Sequence, residues 1–109
     1  MRFRAERDDL ADALSRAGRA VGTKSPLPVL QGVLCSVESG NLRVTGTDTE
    51  ITIQTSLPVE AVEEGKTAVP AKLAADAVRK LPAGAVSVSA SNGEVEIQGN
   101  GPRFRLREL

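Results

Sequence analysis

Asp48 and Glu50 stand two residues apart in the run LRVTGTDTEITI, and a close pair of carboxylates is the usual equipment of general acid–base chemistry. No nucleophile, base or metal ligand accompanies them, so a catalytic site would be incomplete. The competing reading is structural: Asp48 accepts backbone N–H groups in a tight turn, with Gly46 supplying a positive φ. No residue is assigned a catalytic role. The chain has no histidine and a single cysteine, which excludes zinc sites, Cys/His nucleophile pairs and disulfides within the chain. Cys35 falls in phase with Val33 and Val37 and reads as a small buried apolar residue in a reducing compartment. No metal and no cofactor are expected.

The other chemistry available is charge. Lys plus Arg and Asp plus Glu number 14 each, so attraction to an acidic partner has to come from how the charges are distributed. Trp and Tyr are absent and the aromatics are Phe3 and Phe104, which argues against modules that stack bases on aromatic platforms. The basic residues that gather are Arg16, Arg19 and Lys24 in the first quarter and Lys72, Arg79 and Lys80 further on, against Asp12 and Asp76.

Two helices position them. Asp8 and Asp9 open the first; Leu10, Ala13, Leu14, Ala17 and Val21 recur at helical spacing, with acids in the first turns and Arg16 and Arg19 near the end, as the macrodipole favours. Gly18 and Gly22 weaken the pattern, and Pro26 and Pro28 require a loop over 22–28 that carries Lys24. The second helix spans 71–81, with Pro70 as its first residue and Ala74, Ala77, Val78 and Leu81 on its inner stripe. From periodicity alone, the outer faces are ordinary solvated surfaces; a phosphate-facing surface is the alternative.

Strands brace the helices. Residues 1–6 alternate as a short strand, 29–38 form another, and 42–45 and 51–57 fold back on the turn at 46–48. Residues 59–64, with Glu60, Glu63 and Glu64, read as an extended or irregular solvated edge. The pattern then restarts: a strand at 66–69, the second helix, and strands around Val86–Val88, Val95–Ile97 and 103–106, with turns at Ser91-Asn92-Gly93 and Asn100-Gly101-Pro102. This is an internal repeat, about 1–58 and 66–107, within one domain spanning 1–109. Two β-α-β-β-β units predict an α+β fold of two antiparallel sheets with two packed helices on one side.

The opening MRFRAERDDL, LPVL at 27–30, LRVTGTDTE at 42–50, VPA at 69–71 and RFRL at 103–106 come in an order and spacing that resemble the first domain of bacterial sliding clamps, the β subunit of the DNA polymerase III holoenzyme. The resemblance covers essentially the whole chain and implies the DNA-clamp fold. It further implies a non-catalytic processivity factor: three such domains form a subunit, two subunits close into a ring, and the helices line the hole around duplex DNA. Contacts there would be to phosphates and independent of sequence, with retention by topology. On that resemblance Lys24, Lys72 and Arg79 match DNA-facing basic positions, and Arg16, Arg19 and Lys80 lie on the same faces. Arg103, Phe104, Arg105 and Leu106 match an edge strand that meets the neighbouring subunit. The competing reading of that strand buries Phe104 and Leu106 and pairs Arg103 and Arg105 with Glu94 and Glu96.

Replicative polymerase and clamp loader would be met through later domains, beyond Leu109, so the chain reads as a fragment of a longer subunit. The rival to the clamp reading is a protein-interaction module that uses its exposed edge strand. No apolar run reaches membrane-spanning length and the charged opening is no secretory signal, so a cytoplasmic protein without a membrane partner is expected.

Overall fold

Apolar alternation marks most of the strands, and helical spacing marks the helices. The computed structural model describes residues 1–21, 32–48 and 50–109; Lys24, the 22–28 loop and the start of the 29–38 strand fall outside them. In chain order the elements are β1 (Arg2–Glu6), α1 (Arg7–Gly18), β2 (Gly32–Glu38), β3 (Asn41–Thr47), β4 (Thr52–Pro58), β5 (Glu60–Glu63), β6 (Gly65–Pro70), α2 (Ala71–Arg79), β7 (Ala85–Ser91), β8 (Glu94–Gln98) and β9 (Arg103–Arg107). They form two antiparallel sheets, β5-β1-β7-β8-β9 and β4-β3-β2-β6. The α+β reading with two packed helices therefore holds.

The strand before each helix lies in one sheet and the strand after it in the other. β1 pairs with β7, and β6 pairs with β2. The helix that follows each strand carries the chain between layers; α1 packs on α2 and on β3 and β4. One core results, running from Phe3 and Leu10 through Val33 and Val44 to Val78, Leu81, Val86 and Val95.

The β2–β3 and β7–β8 hairpins turn on Ser39-Gly40 and Asn92-Gly93, all four residues at positive φ, the geometry that matches strand twist in a two-residue loop. Residues 59–64, expected to be an extended or irregular solvated edge, contain the edge strand β5; all four of its residues are exposed, so no alternation marks it in sequence. It is held to β1 by backbone pairing and by the Met1 ammonium, 3.0 Å from Glu63 Oε1. That bond holds the Glu63 carboxyl below its ordinary range.

Three local readings are corrected. Pro70 closes β6 and caps α2 instead of opening it, because its ψ of 122° is extended. Leu81 is buried just past the end of α2, which stops at Arg79. Gly46 belongs to β3, not to the turn; its lack of a side chain serves close approach to α1, since an added Cβ would lie 2.0 Å from the Ala17 carbonyl oxygen.

Candidate nucleic-acid interface

The inner stripes of α1 and α2 are rich in alanine: Ala11, Ala13 and Ala17 on one, Ala71, Ala74, Ala75 and Ala77 on the other. Small side chains let the helices lie close, and Gly18 of α1 sits against the Ala71 methyl. The outer faces then form one surface. An open groove of about 470 Å³ runs between them, lined among others by Ser15 and Arg19 from α1 and by Lys72, Leu73, Asp76 and Arg79 from α2. The Arg79 guanidinium donates to Ser15 Oγ and ties the two helices across it.

Arg19, Lys72 and Arg79 are thus brought to one groove. Arg16 is exposed on α1 and pairs with Asp12 at 3.1 Å; Arg79 pairs with Asp76 at 3.6 Å. Lys80 is exposed just beyond α2 and lines none of the groove. Lys24 lies outside the described residues. Among the described residues Arg19, Lys72 and Lys80 have no ion-pair partner, so the two aspartates are already matched and the surplus on this face is positive. Ion pairs this exposed are weak and can be exchanged for phosphate at little cost. At its far end Arg79 meets Arg7, Asp8 and Asp12 around a smaller hollow, where charges balance. Arg7 has a structural task there: its Nη1 donates to the Leu81 carbonyl at 2.9 Å.

Ser15 and Leu73 were not anticipated. Ser15 stands one helical turn before Arg19, so spacing could have placed it on this face. Leu73 is 59% exposed, and an outward leucine carries no signal in a pattern that assigns apolar residues to the core.

The carboxylate pair does not form a site. Asp48 Oδ1 accepts the N–H groups of Glu50 at 2.9 Å and Ile51 at 2.7 Å, which closes the loop after β3. These two bonds hold its carboxyl below the ordinary range. Ile51, expected to alternate inward, is outside β4 and exposed. Among the described residues no group of His, Cys, Asp or Glu could hold a metal. Cys35 is buried and its thiol is pushed up to about 12 by desolvation. Because the folded-state pKa of Asp48 is lowered, its contribution to stability is fully present above about pH 4 and is lost as pH falls through the folded value. Asp48→Ala should therefore lower Tm at pH 7 and flatten the acid limb of the stability curve. An NMR titration in which the Asp48 carboxyl turned over in the ordinary range would contradict this.

β9 is one edge of the five-stranded sheet. Phe104 and Leu106 are half-buried opposite Ile97 and Val95. Arg103 and Arg105 both reach Glu96, at 3.4 and 3.6 Å, whereas Glu94 stands opposite Arg107. The expected pairing with Glu94 is corrected by this register. The outer backbone edge of β9 has no described strand beside it.

All 109 residues match the family described as DNA polymerase III beta subunit, N-terminal domain. The chain belongs to this family. As a beta-subunit N-terminal domain it is 36% identical over 109 residues to the beta sliding clamp of Streptomyces coelicolor, covering all of this chain and 29% of that protein. To the beta sliding clamp of Escherichia coli K12 it is 33% identical over 111 residues, covering 30% of that protein. Among solved structures, Caulobacter crescentus pol III beta superposes with a TM-score of 0.94 at 31% identity, over all of this chain and 30% of that one. The domain thus spans under a third of the length of these relatives. Among the described residues no helix is long and apolar enough to cross a membrane.

Proposed function

We propose that this domain is a non-catalytic part of a ring-shaped replication clamp, contributing the paired faces of α1 and α2 to the inner wall around duplex DNA. The observation that carries the reading is the convergence of Arg19, Lys72 and Arg79 on one groove whose acid, Asp76, is already paired, in a chain of the sliding-clamp family. Arg16, Lys80 and Lys24 extend the same basic surface in this proposal. Flexible cations facing phosphates give attraction without base readout, which suits a protein that must slide.

The Arg103, Phe104, Arg105 and Leu106 strand is proposed to meet the neighbouring subunit, its backbone edge extending a sheet and its half-buried rings and chains packing across. Polymerase and clamp loader are proposed to bind outside residues 1–109. The domain itself is proposed to consist of two copies, about 1–58 and 66–107; matching hydrogen bonds after the last strand of each copy support this, Val59 N–H to Gly40 O and Glu108 N–H to Gly93 O. A cytoplasmic location accords with the buried free thiol of Cys35.

Reversing charge at Lys72 and Arg79 together tests the DNA reading. Binding of a fluorescent duplex at low salt should weaken by roughly tenfold or more, with a shallower salt dependence, while Tm stays near that of the parent. The same reversal at Arg103 and Arg105 should leave duplex binding nearly unchanged. Equal losses at both surfaces, or none at either, would remove the helix face from the DNA reading.

A further inference from the structure

The two halves of the chain share strand registers and a hydrogen bond at equivalent places. Phe3 of β1 lies opposite Val88, and Thr67 of β6 lies opposite Cys35, at equivalent places before the turns Asn92-Gly93 and Ser39-Gly40. After β4, Val59 N–H bonds Gly40 O at 3.0 Å; after β9, Glu108 N–H bonds Gly93 O at 2.9 Å. The next residue of the first half, Glu60, pairs with Arg4 and begins β5, which runs antiparallel along the outer edge of β1. Its counterpart, Leu109, donates its N–H to the Ala68 carbonyl at 2.9 Å, and Ala68 follows Thr67 as Arg4 follows Phe3.

Leu109 thus makes a backbone hydrogen bond to the outer edge of β6, where Glu60 meets the outer edge of β1. The contact is reinforced by the buried Thr67, whose hydroxyl donates to Glu108 Oε1 at 2.5 Å. In an antiparallel strand the N–H and C=O of one residue face the same edge, so the Ala68 N–H and both backbone groups of Lys66 point the same way as the occupied Ala68 carbonyl. No described strand lies beyond β6.

We propose that the outer edge of β6 is an acceptor for one further antiparallel strand, an extended polypeptide segment joined to Leu109 and seated as β5 is seated on β1. The register is set by that template. The residue after Leu109 stands opposite Thr67, as Ala61 stands opposite Phe3, and after a one-residue bulge the segment reaches Lys66, as Glu63 reaches Arg2. The residue opposite Lys66 needs an N–H, so proline is excluded there. This site does not depend on what the helix face binds.

Extending the chain after Leu109 by Ala-Val-Glu-Glu, the sequence that follows Glu60, tests the proposal. Amide exchange at Lys66 and Ala68 should slow by roughly tenfold or more relative to the 109-residue chain. The same extension with proline in place of its first Glu should lose the protection at Lys66. Unchanged exchange at both amides in the first extension, or equal protection by the proline version, would overturn it. Val44, far from this edge in the same sheet, reports whether each protein is folded.

Discussion

Gly46→Ala is expected to destabilise the domain by about 3 kcal/mol or more, at the upper end of overpacking costs. The new Cβ would stand 2.0 Å from the Ala17 carbonyl oxygen and 2.9 Å from its carbonyl carbon. Both are backbone atoms of a helix whose Ala17 is wholly buried, so no side chain can swing aside. Either β3 or α1 must move, and α1 is fixed against α2. Out of a total stability of about 5–15 kcal/mol this is a large share. Gly18→Ala is the comparison: its Cβ would meet only the Ala71 methyl at 3.2 Å, a contact that a slight spreading of the helices relieves. Urea unfolding should place the Gly46→Ala midpoint well below that of Gly18→Ala. A Gly46→Ala midpoint equal to the parent's would mean that the helix and sheet are not held at this distance.

Gly46 also shows what sequence can and cannot say. A glycine next to Thr-Asp-Thr reads as part of a turn, because local chemistry offers no other use for it, and the need for close approach exists only once α1 lies over β3. Asp48 was legible because its partners, the N–H groups of Glu50 and Ile51, are its own neighbours. The strands with alternating residues, such as Leu42 and Val44 or Val95 and Ile97, were legible for the same reason. For β5 the acids marked a solvated edge, but an edge strand with every residue in solvent leaves no periodic trace, so extended and irregular backbone could not be told apart. Of the candidate interface, the outward directions of Arg16, Arg19, Lys72 and Arg79 follow from helical spacing. That Arg19, Lys72 and Arg79 share a groove depends on how two helices dock, which no single-helix pattern contains, whereas the Arg16–Asp12 pair, four residues apart on α1, follows from helical spacing.

Phe3→Ala is expected to remove about 3–5 kcal/mol, the usual cost of emptying a buried aromatic site. Phe3 is 1% exposed and sits in β1 between β5 and β7, so the vacated space is enclosed by strands on both sides and by the helices. The informative part is where the loss is felt. β1 belongs by sequence to the first half but by pairing to the second half's sheet, and it leads directly into α1, which packs over β3 and β4 of the other sheet. β6 makes the reverse crossing. Neither sheet can keep all its strands if either half unfolds, so the two should open as one cooperative unit. Amide exchange in Phe3→Ala should accelerate by a similar factor at Val86, beside the substitution, and at Val44, in the sheet Phe3 does not join. Retained protection at Val44 with loss at Val86 would show that the four-stranded sheet stands by itself and that the exchanged strands do not couple the halves. A common factor at both would instead make the crossing of β1 and β6 between the sheets the device that couples them into one domain.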